Sequence, residues 1–260
     1  MLQVIEQAQN HGVRTAIESD GRSYTYVELL AASEALSVML LSGRQDLGQA
    51  RIAFMVHPGF DYVRTLWAIW RAGGVAVPLC LTHPLPSLQY VIEDTGAEML
   101  VVSRDFRQVL EDHAKGNDLP LLTLEDHQED ANISSSLPDV SADRNALILY
   151  TSGTTSKPKG VVTTHANIEA QISTLVAAWE WSSDDHTLCV LPLHHVHGII
   201  NVIGCSLWVG ATCAFIPHFS AEATFRIFQE GRLNVFMAVP TIYFKLIAHF
   251  ESLPEDGKAS

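Results

Sequence analysis

The chain has 260 residues, 47% of them hydrophobic, which is ample for one large α/β domain or two smaller units. Its net charge of −13 opposes the wrapping of a nucleic-acid backbone, and no apolar run is long and clean enough to span a bilayer. The start, Met1-Leu2-Gln3-Val4-Ile5-Glu6, has neither a signal-peptide pattern nor the Arg- and Ser-rich character of a transit peptide, so a cytoplasmic location is expected.

Short β-branched runs alternate with longer amphipathic ones. Arg14 to Glu18 reads as a strand, Asp20-Gly21 as a hairpin turn and Ser23 to Thr25 as the return strand. Thr25 and Glu28 have capping-box spacing, which predicts a helix to about Ser42 with Gly43 as its stop. Ile52 to Val56 is a predicted strand, Gly59 to Ala72 a helix, Val75 to Leu79 a strand, Leu88 to Thr95 a helix and Met99 to Val102 a strand. From Lys115 to Asp143 periodicity fades, apart from a short strand over Leu119 to Leu124. A subdomain boundary is expected near Ser134 to Ala142, dividing the chain into 1–140 and 141–260.

Ala146 to Tyr150 is the next predicted strand, and Gly160 to Thr163 is extended. Thr164 caps a helix over Ala166 to Trp179, followed by a strand at Thr187 to Val190 and a helix over Ile199 to Val209. Ala211 to Ile216 is a strand, Ser220 to Glu230 a helix, Val235 to Ala238 extended and Pro240 to Phe250 a helix. Strand and helix in turn imply crossover units and largely parallel sheets packed with helices in layers. Cys80, Cys189, Cys205 and Cys213 lie in apolar stretches with no C-x-x-C pair, so buried reduced thiols are expected.

The most informative segment is Tyr150-Thr-Ser-Gly-Thr-Thr-Ser-Lys-Pro-Lys-Gly160. Gly153 and Gly160 permit close backbone approach or positive φ. Thr151, Ser152, Thr154, Thr155 and Ser156 offer hydroxyls and amides over a short span, and Lys157 and Lys159 supply positive charge. Together these could wrap a polyphosphate. A Walker loop would need a second Gly five residues after Gly153, where Pro158 stands, and the Gly that is present, Gly160, is followed by Val161 and not by Lys. A Ser/Thr/Gly surface linker would have no reason to follow a buried strand directly or to carry two lysines.

Three histidines, His194, His195 and His197, lie in Leu191-Pro-Leu-His-His-Val-His-Gly198 between a strand and an apolar helix. Metal ligation, structural packing at a strand end and substrate contact are the three readings of this cluster. Lys245 stands one helical turn after Thr241, and a lone helical lysine is usually solvated.

The stretch Ile148 to Lys159 resembles the signature of the adenylate-forming superfamily, which includes acyl-CoA synthetases, luciferases and peptide-synthetase adenylation domains. Ser156 stands where many members have Gly. The resemblance implies an α/β fold like the N-terminal part of those enzymes, with the loop closing over the β- and γ-phosphates of ATP. It implies that Lys159 stabilises charge on the departing pyrophosphate, that Thr151 approaches Mg²⁺, and that His195 orients the acid's carboxylate; His197 is a further candidate for substrate contact. Leu191 to Gly198, Leu207 to Thr212 and Val239 to Tyr243 look most like malonyl-CoA synthetases. That resemblance implies a dicarboxylic acid, whose second carboxylate would need a cation, and Lys245 is the candidate.

The implied reaction joins a carboxylic acid to coenzyme A through an acyl-adenylate, with no nucleic-acid partner and no membrane insertion. The resemblance covers roughly the first half of a typical member. The family's Tyr-Gly-x-Thr-Glu stretch, ribose-binding Asp, hinge and catalytic C-terminal Lys find no counterpart, so weak ATP binding and little turnover are expected of the chain alone. A domain that loads a carrier protein and a non-catalytic truncated relative are the alternatives.

Overall fold

The computed structural model describes residues 2–126, 136–151 and 157–254. A first helix, α1 (Gln3–Gln9), precedes a hairpin of β1 (Thr15–Ser19) and β2 (Arg22–Thr25). Asp20 and Gly21 both take positive φ, 53° and 74°, as a tight two-residue hairpin turn requires. Helix α2 (Tyr26–Leu41) starts from a complete capping box, with Thr25 and Glu28 each accepting from the other's backbone N–H. It ends at Ser42 in the left-handed conformation, one residue before the glycine expected to stop it.

Strand and helix then alternate through β3 (Arg51–Met55), α3 (Phe60–Arg71), β4 (Val75–Pro78), α4 (Leu85–Thr95), β5 (Met99–Val102), α5 (Arg107–Gly116) and β6 (Leu121–Thr123). The chain continues with β7 (Asn145–Thr151), β8 (Lys159–Thr164), α6 (His165–Ala178) and β9 (His186–Cys189). A π-helical segment, His197–Gly204, runs into α7 (Cys205–Val209), followed by β10 (Thr212–Phe215), α8 (Ala221–Gln229) and α9 (Pro240–Ser252).

Two sheets result, one ordered β2-β1-β10-β9 and one ordered β6-β5-β3-β4-β7-β8. The pairs β1–β2 and β7–β8 are antiparallel, and the other ladders are parallel. Each sheet draws strands from both sides of residue 140, so neither sheet follows the 1–140 and 141–260 division. Arg144 reinforces this closure with a two-point contact to Asp46, at 2.7 and 2.9 Å, and a third bond to the carbonyl of Gly73.

Alternation along β3 divides the core. Ile52 and Phe54 join the larger cluster with α2, α3, α6 and the four-stranded sheet. Ala53 and Met55 face the other way, against Leu88 and Ile92 of α4 and Leu110 and Ala114 of α5. Both faces are covered, which is why β3 reads as a continuous apolar run. Trp67 is 1% exposed and anchors α3 in the larger cluster. The four cysteines are buried and unpaired.

The pattern differs from expectation in three places. Helices α1 and α5 lie where the sequence periodicity carried no assignment. Val235 to Ala238 forms a single bridge, Val235 to Thr187, in place of a full strand. The helix expected from Ile199 begins at His197 as a wide turn, where Gly204 lets Ile172 approach to 2.8 Å of the position a Cβ would occupy.

Candidate active site

Four parallel strands end on one cavity of about 460 Å³. Val56 and His57 follow β3, Leu79 to Thr82 follow β4, Cys189 to His194 come from the end of β9, and Ile216 to Phe219 follow β10. The cavity therefore lies at the carboxyl ends of strands from both sheets, where backbone leaving the ladders is free to meet a ligand.

His194 lines the cavity, and two further imidazoles meet it. The ring of His194 lies 4.1 Å from that of His195 and 5.9 Å from that of His83. Burial, with His195 and His83 beside it, pushes His194 down to about 4. Burial and His83 lower His195 as well, although His195 reaches the surface. Burial disfavours the charged imidazole, so both are neutral at neutral pH. A neutral imidazole offers one donor and one acceptor nitrogen, suited to orienting a polar group rather than neutralising its charge.

The segment bearing these histidines is pinned from behind. Tyr62, buried on α3, donates its hydroxyl to the carbonyl of Leu193 at 2.7 Å. Burial holds the Tyr62 phenol well above its ordinary value, so it keeps its proton and remains a donor. His197 opens the π-helical segment and is half-buried. Lys245, exposed on α9, places its ammonium 5.8 Å from the ring of Phe219, which lines the cavity. Among the described residues no group of three or more His, Cys, Asp and Glu side chains could hold a metal ion.

The glycine-rich loop closes the β7–β8 hairpin. Ser152, Gly153, Thr154, Thr155 and Ser156 lie outside the described residues. On its flanks Thr151 pairs with Lys159, and Tyr150 with Gly160. Thr151, Lys157 and Lys159 are exposed. Gly160 has a packing reason, since a Cβ there would meet Ile148 at 3.0 Å and the Tyr150 ring at 3.3 Å. Helix α4 contacts both flanks. Its Asp94 accepts from the Tyr150 hydroxyl at 2.5 Å, and its Tyr90 donates to the carbonyl of Pro158 at 3.0 Å. The ammonium of Lys157 lies 5.5 Å from the Tyr90 ring.

The contacts thus form two groups. His194, His195 and His83 meet at the cavity, with Lys245 reaching its edge through Phe219, while the loop flanks meet α4. Sequence reasoning missed Tyr62, His83, Tyr90 and Asp94. Their partners stand 131, 111, 68 and 56 residues away, and no local pattern encodes such pairings. Among the described residues no helix is long and apolar enough to cross a membrane.

Comparison with known proteins places this geometry in a family. Residues 4–259 match the AMP-binding enzyme family. The chain is 39% identical over 270 residues to malonate–CoA ligase ACSF3, mitochondrial, of Xenopus laevis, covering 96% of this chain and 46% of that protein. It is 40% identical over 262 residues to the Homo sapiens protein of the same name, covering 95% and 45%. Both relatives are named as mitochondrial, in contrast to the cytoplasmic location expected for this chain from its sequence. The crystal structure of ATP-bound MatB from Rhodopseudomonas palustris superimposes with a TM-score of 0.82 at 27% identity, covering 98% of this chain and 53% of that one. The chain spans about half the length of the curated relatives it matches. It belongs to the AMP-binding enzyme family.

Proposed function

We propose that this chain carries the phosphate-gripping and acid-orienting part of an AMP-forming acid–CoA ligase whose acid is malonate. The observation that carries the reading is the pairing of Lys159 with Thr151 at the mouth of the glycine-rich hairpin, in a chain 39–40% identical to proteins named malonate–CoA ligases. In an acidic protein, two exposed lysines beside one short loop make a local site for a polyanion.

In the proposed reaction a carboxylate oxygen attacks the α-phosphorus of ATP·Mg²⁺. The bond from that phosphorus to the bridging oxygen of the β-phosphate breaks, and pyrophosphate leaves. The coenzyme A thiolate then attacks the acyl carbon, and AMP departs. Lys159 stabilises the charge that grows on pyrophosphate. His195, neutral and beside the cavity-lining His194, orients the attacking carboxylate, with His197 two residues beyond it. Lys245 offers a cation for the second carboxylate of malonate, because a buried carboxylate without a partner is costly. Thr151 offers one exposed hydroxyl, which suits a single ligand to an ion already carried by the triphosphate.

Pyrophosphate release from ATP, assayed with malonate, acetate and octanoate, tests the reading. Slow release, stimulated most by malonate, is expected. Preference for octanoate would overturn the dicarboxylate assignment, and no stimulation by any acid would remove the acid-orienting part of the reading.

A further inference from the structure

We infer that α4 is a latch that holds the two flanks of the glycine-rich loop together before any ligand arrives, with Asp94 and Tyr90 as positioning residues. Asp94 takes the entering strand through the Tyr150 hydroxyl at 2.5 Å, and Tyr90 takes the leaving segment through the Pro158 carbonyl at 3.0 Å. The two contacts lie one turn apart on α4, so a single rigid element fixes both ends. The rings of Tyr90 and Tyr150 also meet edge to face, 6.1 Å between centroids, and Lys157 sits over Tyr90.

Electrostatics argue that Asp94 acts through its hydrogen bond and not through its charge. A carboxylate beside a polyanion-binding loop would repel the ligand, so its charge opposes the proposed task. As an acceptor it is well used. Burial and the Asp94 carboxylate raise the Tyr150 phenol above its ordinary value, so the phenol stays protonated and donates. Gly160 completes the arrangement, because its missing Cβ leaves room for the Tyr150 ring to lie across the hairpin toward α4. The functional meaning of the latch rests on the phosphate-binding reading, but its existence does not.

Limited trypsin digestion of the 260-residue chain tests the latch without any activity assay. Lys157–Pro158 resists trypsin, so cleavage in this region reports on Lys159–Gly160, followed by mass spectrometry. Loss of one latch hydrogen bond, in Tyr90→Phe, Tyr150→Phe or Asp94→Ala, should raise cleavage there roughly fivefold, with no rise at other sites. Asp94→Asn keeps an acceptor and should digest like the parent. Parent-like digestion of Tyr90→Phe and Tyr150→Phe would overturn the latch, and so would Asp94→Asn digesting as fast as Asp94→Ala. Added pyrophosphate tests the other reading separately: absent protection of the parent would count against phosphate binding and leave the latch standing.

Discussion

The hydroxyl of Tyr62 on α3 donates to the backbone carbonyl of Leu193 at 2.7 Å, inside the core and one residue before the histidine pair. A helix of the first third of the chain thus sets the height at which His194 and His195 emerge at the cavity. Tyr62→Phe keeps the ring packing and strands a buried carbonyl, at a cost of about 1–2 kcal/mol. Urea denaturation should show that loss as a lower midpoint with an unchanged slope. Acid-stimulated pyrophosphate release should fall as well, since the histidines lose their support.

Gly160→Ala tests the floor of the loop. Its new methyl would meet Ile148 at 3.0 Å and the Tyr150 ring at 3.3 Å, so the ring must shift and its bond to Asp94 lengthens. ATP affinity measured by calorimetry is expected to fall several-fold while the melting temperature changes little. Equal affinity in the variant would show that the ring position is unimportant to the loop.

Stability at acid pH should follow His165. This residue is 6% exposed, and burial, with Arg144 nearby, pushes it down from 6.5 to about 4. Above pH 6.5 neither the folded nor the unfolded state binds the proton, and the full stability is present. As pH falls from 6.5 towards 4 the unfolded chain takes up the proton first, and roughly 3 kcal/mol is lost across that window. His165→Gln should flatten this acid limb in denaturation series. An unchanged slope would place the acid sensitivity elsewhere.

Lys245→Ala is expected to raise KM for malonate about tenfold, with a smaller change in kcat, and to leave acetate kinetics unchanged. Acetate lacks the second carboxylate that Lys245 is proposed to meet. An untouched malonate KM would remove Lys245 from the pocket.

Much of this fold was legible because its signals are local. Thr25 and Glu28 form the capping box that their spacing predicts, and Thr164 caps α6 with Asn167 in the same way. The continuous apolar run of β3 announces a strand buried on both faces. The strand that leads into the loop was legible too, since the apolar run Ala146 to Tyr150 lies within β7. What stayed hidden was mostly non-local. His83 meets His194 only once β4 and β9 bring their carboxyl ends together, and Asp94 meets Tyr150 only once α4 packs beside β7. That each sheet draws strands from both halves of the chain was also unreadable, because a polar stretch near residue 140 looks the same whether it separates subdomains or joins two strands of one sheet, as it joins β6 to β7 here.

The central claim is that the hairpin loop grips the polyphosphate of ATP through Lys159. Titration of the chain and its Lys159→Ala variant with ATP·Mg²⁺, followed by isothermal calorimetry, tests it most directly. Saturable binding by the parent, weakened about tenfold or more in the variant, is the predicted result. Equal binding by the two proteins, or none by the parent, would contradict it.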